Sequence, residues 1–263
     1  MQTQINRFRM NYDDTGGAGV PLLLVHGFPL DRTVWANQTA ELAGVARVIA
    51  PDLRGFGQST MPDGMTTLES YADDLNALLD VLKIPSAVIA GLSMGGYIAL
   101  AFYRQYTGRV RGLILADTKA GADSPEAKKG RDDNASAARA YGAEEIAKRM
   151  LPKMLTPKTI ENNFEMAQTV REMMARQSVE AIVAALMAMR DRADSTSLLT
   201  QIKTPTLIIT GADDLLIPPK EAEAMHQAIA GSSLVTIPNA AHLSNVEQPE
   251  AFNQAVLEFL HNI

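Results

Sequence analysis

The sequence predicts an α/β protein, a mostly parallel sheet flanked by helices, with one helical cap inserted into it. Three observations carry this. Short apolar runs alternate with longer amphipathic ones, as βα units do. Several short runs are apolar throughout, as strands are when helices cover both sheet faces. The alternation fails over residues 118–200 and then resumes.

In chain order, Ile5, Phe8 and Met10 are separated by polar residues and suggest an antiparallel edge hairpin, closed near residues 13–17. Buried strands are expected at 21–26, 45–51, 87–91, 111–117, 206–211 and 233–238. Amphipathic helices are expected at 33–43, 67–82, 94–106, 220–230 and 249–261. Within the interruption, a polar passage at 119–133 leads into helix-like sequence at 143–150, 158–174 and 179–192. The expected organisation is a core of residues 1–117 and 201–263 carrying a cap of residues 118–200.

Composition narrows the possible partners. A hydrophobic content of 46% against 21% charged residues leaves ample material for a full core. The net charge of -6, with no run of Lys or Arg, disfavours nucleic acid and anionic membranes. The chain has no cysteine, which removes disulfides and thiolate chemistry. The first residues lack the apolar core of a signal peptide, and no apolar run is long enough for a membrane span, so a cytoplasmic location is expected. Oligomeric state is left open.

Gly91-Leu92-Ser93-Met94-Gly95-Gly96 follows an apolar strand and opens a helix. This is the setting of a nucleophile elbow, where a strained serine projects its hydroxyl above the sheet edge. Glycines two positions either side remove side chains from a turn too tight to hold them. Serine needs a base, and there are four histidines. His26 ends a strand and suits shaping the site, His226 lies in a polar helical stretch, and His261 is near the last residue. His242, in a turn between the last strand and last helix, falls at the same carboxyl edge as Ser93. The acid that fixes its tautomer is expected from Gly211-Ala212-Asp213-Asp214. Asp214, deeper in the turn, is preferred, with Asp213 capping the turn and Asp117 a third candidate. The backbone amides of Phe28, in His26-Gly27-Phe28-Pro29, and of Met94 are the expected oxyanion donors.

These segments, with Asp52-Leu53-Arg54-Gly55-Phe56-Gly57-Gln58-Ser59, give a chain that resembles the α/β-hydrolase superfamily over nearly its whole length outside the cap. The order nucleophile, acid, base is the family's order. The resemblance implies that Asp52 and Arg54 are scaffold residues. Phe28-Pro29-Leu30-Asp31 and Trp35 look like the branch of small carboxylesterases and 3-oxoadipate enol-lactonases. A serine nucleophile sets the chain apart from the related dehalogenases and epoxide hydrolases, which use aspartate.

The expected activity is hydrolysis of carboxylic esters of small to medium acyl chain through an acyl-enzyme. Lactone hydrolysis of the enol-lactonase type is the alternative, and carbon–carbon hydrolysis, perhydrolysis and a non-catalytic receptor are more remote ones. No metal or cofactor is expected, since phosphate-loop, zinc-helix and dinucleotide motifs are missing. Seven of the 13 methionines (Met150, Met154, Met166, Met173, Met174, Met187 and Met189) fall in the cap, as core packing or as an adaptable apolar wall. Trp35, Leu216 and Ile217 are expected to add apolar surface to the pocket. A lactone carboxylate would need a cation, with Arg139, Arg149, Arg171 and Arg190 among the cap candidates.

Overall fold

A computed structural model describes residues 1–263. The strands are β1 (Gln2–Ile5), β2 (Phe8–Asp14), β3 (Val20–Val25), β4 (Ala46–Pro51), β5 (Ala87–Leu92), β6 (Val110–Ala116), β7 (Thr206–Gly211) and β8 (Ser233–Ile237). They form one eight-stranded sheet in the order β1-β2-β4-β3-β5-β6-β7-β8. β1 pairs β2 and β2 pairs β4 antiparallel, and every other neighbour is parallel.

The core helices are α1 (Ala36–Leu42), α2 (Leu68–Val81) and α3 (Met94–Tyr106). Six further helices lie between β6 and β7: α4 (Pro125–Tyr141), α5 (Ala143–Met154), α6 (Pro157–Asn162), α7 (Phe164–Ala175), α8 (Val179–Arg190) and α9 (Thr196–Leu199). The chain closes with α10 (Pro219–Ala228), α11 (Ser244–Glu247) and α12 (Pro249–His261). No helix is long and apolar enough to cross a membrane.

The sheet's two faces bury separate cores. Leu75, Leu79, Ile98 and Phe102 of α2 and α3 meet Ile89 and Leu113 on one side. Leu42, Phe252 and Val256 of α1 and α12 meet Val48, Val88 and Ile114 on the other. The inserted helices join both: Ile182 and Leu186 of α8 extend the first core, and Val170, Met173 and Met174 of α7 extend the second. Arg176, just past α7, also grips the buried carboxylate of Asp31, its Nε donating at 2.8 Å.

Three expectations need correction. The amino-terminal hairpin turns at Asn6 and Arg7, not at residues 13–17. Asn6 takes φ 48°, a left-handed conformation that asparagine tolerates, which puts Ile5 and Phe8 opposite each other as a buried pair. Residues 119–133, read as a polar passage, contain the start of α4. Ser124 accepts the Ala127 amide and Pro125 takes the first helical position. Only alanines of α4 are buried, so it has no large apolar periodicity to detect. The stretch 158–174 breaks at Asn163, whose side chain accepts the Met166 amide and starts α7 afresh.

The sheet order reverses at β3. The chain steps outward from β3 to β4, then returns to lay β5 on β3's other side. The crevice at the carboxyl ends of β3 and β5 is the switch point at which such sheets bind ligands.

Candidate active site

Ser93 stands at that crevice, between the last residue of β5 and the first of α3, with φ 54° and ψ -114°. A non-glycine residue there is strained, and several contacts hold it. Its amide donates to Ala116 O at 2.9 Å, and its carbonyl accepts the Gly96 amide at 2.9 Å and the Thr118 hydroxyl at 2.7 Å. The glycines of the turn are forced by space. A Cβ at Gly91 would fall on the Gly95 carbonyl, as the tight turn requires. A Cβ at Gly95 would strike the carbonyl of Val25 on the neighbouring strand, so this glycine answers to β3.

His242 lies in the loop between β8 and α11 and is fully buried. Its Nε2 is 2.7 Å from Ser93 Oγ and its Nδ1 is 2.7 Å from Asp214 Oδ2. The three residues therefore form one continuous hydrogen-bonded row. Burial pulls the His242 pKa down, but the charge and hydrogen bond of Asp214 outweigh it and the net direction is upward. The loops bearing the two residues press together at Gly211, where a Cβ would fall on the carbonyls of Ala240 and Ala241.

The two adjacent aspartates separate cleanly. Asp214 is buried, and its Oδ1 accepts the amides of Leu216 at 2.8 Å and Ile217 at 2.9 Å. Asp214 thus caps its own turn, the role expected of Asp213, whose side chain is exposed. Asp117, the third candidate, is buried behind the row. Its Oδ1 accepts the Gly211 amide at 2.8 Å and its Oδ2 the Ser244 hydroxyl at 2.6 Å.

The other histidines are occupied elsewhere. His26 Nε2 accepts the Leu53 amide at 3.1 Å, so Nδ1 carries the proton and donates to Gly27 O at 2.9 Å. Burial lowers its pKa and keeps this neutral form. His226 pairs with Ser232, and His261 is exposed. Asp52 and Arg54 sit in the scaffold. Asp52 accepts the Arg32 and Gln58 amides at 2.9 and 2.8 Å, and Arg54 Nε reaches Asp74 at 2.6 Å.

A cavity of about 280 Å³ opens over Ser93. Phe28, Leu186, Met189, Leu216 and Ile217 supply apolar wall, with Met150. Trp35, expected in this pocket, is not there: it is fully buried in the core, its ring 6.1 Å from that of Phe252. Phe28, in the loop after β3, lines the cavity together with Ser93, and Met94 follows Ser93 in the chain and opens α3.

The cavity also has a cationic side that sequence reasoning missed. Lys119, Arg131 and Lys153 line it with a single acid, Asp123. Asp123 is buried and holds Arg131 Nε at 3.0 Å and the buried Arg192 at 2.7 Å. Burial opposes its charge, yet these arginines keep its pKa below the usual value. The arginines singled out from the sequence point elsewhere. Arg149, Arg171 and Arg190 pair with surface carboxylates, and Arg139 is exposed. The missed signal is the i, i+8 spacing of Asp123 and Arg131, two turns apart across the start of α4.

A family model for the α/β hydrolase fold matches residues 20–249. A 3-oxoadipate enol-lactonase of Acinetobacter baylyi is 32% identical over 248 residues, 94% of this chain and 91% of its own. A malate-bound thermophilic esterase from Thermogutta terrifontis superposes with a TM-score of 0.96 at 44% identity, covering 100% of this chain and 98% of that one. An enol-lactonase from Burkholderia xenovorans LB400 superposes at 0.93 with 31% identity, covering 99% and 100%. The chain belongs to the α/β-hydrolase family and is a serine hydrolase of that family.

Proposed function

We propose that the protein hydrolyses carboxylic esters of small to medium acyl chain, with Ser93 as nucleophile, His242 as base and Asp214 as its acid partner. One observation carries the proposal. The strained Ser93 hydroxyl is 2.7 Å from a buried imidazole that Asp214 orients, and it opens into a partly apolar cavity.

In this reading His242 takes the Ser93 proton as Oγ attacks the ester carbonyl. The Phe28 and Met94 amides receive the developing oxyanion, and Asp214 stabilises the imidazolium. His242 returns the proton to the leaving alkoxide, which leaves an acyl-enzyme. Water, deprotonated by the same histidine, then attacks the acyl carbon and releases the acid and free Ser93. Residues 118–200 act as a cap that roofs the cavity. At about 280 Å³ the cavity lies at the small end for a ligand site, which suits short acyl groups.

A second reading has its own observation. Lys119, Arg131 and Lys153 against the single Asp123 leave positive charge in the cavity of a chain whose net charge is -6. That charge suits a lactone or ester bearing a carboxylate away from the scissile bond, as the enol-lactonase similarity suggests.

The test is a fluorophosphonate probe followed by a substrate panel. Labelling should map to Ser93, and Ser93→Ala should lower turnover by roughly 10⁶-fold. Near-normal turnover by that variant, or no labelling, would overturn the assignment. Neutral p-nitrophenyl esters, half-esters of dicarboxylic acids and carboxylated lactones then separate the two readings by kcat/KM.

A further inference from the structure

Glu247 is the last residue of α11, five positions after His242, and it is only 9% exposed. A carboxylate taken from water needs partners, and no Lys or Arg supplies one here. It has three donors instead. Oε2 accepts the Ala241 amide at 2.6 Å, and Oε1 accepts the amide and hydroxyl of Thr156, both at 2.9 Å. Ala241 precedes His242. Thr156 is the junction between α5 and α6, where it also caps α6. One carboxylate therefore ties the base loop to the inserted helices.

A second bond runs in parallel. The Leu243 amide, on the other side of His242, donates to Met154 O at the end of α5 at 3.0 Å. His242 is thus held on both flanks by the α5–α6 junction, once directly and once through Glu247. The same α5 presents Met150 and Lys153 to the cavity over Ser93. The loop's other anchors, among them Ser244 on Asp117 and the Asp213 amide on Ala240 O at 2.9 Å, are independent of these helices.

We propose that Glu247 is a positioning residue for His242, making the register of the base depend on docking of the α5–α6 junction. This rests on the proposed role of His242. With the junction docked, His242 spans Asp214 and Ser93. With it displaced, the loop loses both flanking anchors and the imidazole drifts from the row. A substrate that touches α5 is thereby connected to the base loop by one backbone hydrogen bond and by the Glu247 carboxylate.

The experiment compares Glu247→Ala and Glu247→Gln, with Arg176→Met as a variant that cuts a different link, to Asp31, remote from the base loop. Steady-state kinetics on p-nitrophenyl butyrate are normalised to active sites titrated with fluorophosphonate. Glu247→Ala should lower kcat about ten- to hundredfold, the scale of a misplacement near 1 Å, with KM nearly constant. Its acid limb in kcat/KM should move to lower pH as His242 loses Asp214. Glu247→Gln, which keeps one carbonyl acceptor, should fall between, and Arg176→Met should keep the parental limb. A merely structural Glu247 would lower the titrated fraction and leave kcat per site and the limb unchanged. That result overturns the proposal. If Glu247→Ala does not fold, hydrogen exchange on the parent decides. Residues 151–157 and 239–247 should open together, and independent opening overturns the link. Should Ser93→Ala or His242→Ala keep turnover, the functional reading itself falls. If both are inactive and Glu247→Ala is not impaired, only the present inference falls.

Discussion

The Asp117 carboxylate braces the base loop through Ser244, whose hydroxyl donates to its Oδ2 at 2.6 Å two residues past His242. It faces the imidazole as a charge, without bonding the ring. Burial pushes its carboxyl from 3.8 up to about 7, against the pull of His242 and its two hydrogen bonds. A carboxyl raised on folding contributes stability that is full below about pH 4 and lost as pH rises through about 7. Asp117→Asn removes that titration. The variant should therefore lose less stability than the parent between these limits. Urea unfolding midpoints across the window check this, and parallel curves would refute it.

The raised pKa of His242 has a separate kinetic signature. Burial alone would lower it, and Asp214 reverses the direction. Since the base acts in its neutral form, the acid limb of kcat/KM should lie above the ordinary histidine value of 6.5. Asp214→Asn should move the limb downward and reduce kcat by roughly 10⁴-fold. A limb that stays in place would show that Asp214 does not govern the base. On stability the sign matches Asp117: the contribution is full below the unfolded histidine value and fades as pH passes the raised one.

Gly95→Ala tests the close approach of the elbow to β3. Its Cβ would overlap the Val25 carbonyl, and that is backbone, which cannot swing aside. The expected cost is about 1–3 kcal/mol or more in urea unfolding, with loss of activity. Gly108→Ala, where the added carbon meets nothing within 4 Å, should change stability by no more than about 0.5 kcal/mol. Equal effects at the two positions would refute the steric account.

The Arg54–Asp74 pair should be a stability element with no part in turnover. Asp74 has a fully buried side chain, and Arg54 Nε reaches it at 2.6 Å. Asp74→Ala strands the arginine charge and should cost about 3–5 kcal/mol, while kcat per titrated site stays at the parental value. Replacing both with apolar residues of similar volume should recover most of the loss. A drop in kcat per site would place the pair closer to the chemistry.

What the sequence made legible follows from how local each signal is. The elbow is encoded within six residues, because its glycines answer to steric contacts of that turn and the adjacent strand. β5 and α3 were readable because burial leaves them nearly free of polar residues. That Asp214 lies deeper in the turn than Asp213 was readable, but the capping role belongs to Asp214 and not to Asp213. Trp35 and α4 were misjudged for a common reason. Whether a large ring faces a pocket or the core, and whether an alanine-faced helix packs, depend on partners far away in sequence, Phe252 and α8. Glu247 gave no local sign, since its donors lie 6 and 91 residues distant.

The placement of α4–α9 between β6 and β7 bears on how this molecule can change. These strands are parallel neighbours in direct register, so their geometry is already specified by the sheet. A crossover between them needs about a dozen residues, and each doubling beyond that adds only about 0.6 kcal/mol of closure entropy. Most of residues 117–205 is therefore surplus to the sheet, and it also supplies much of the lining of the cavity at Ser93. Much of the cavity wall is therefore carried on a stretch the sheet does not need, so new specificities are most cheaply sought by grafting or randomising that stretch. The junction at Met154–Thr156 is the part such a graft would have to retain.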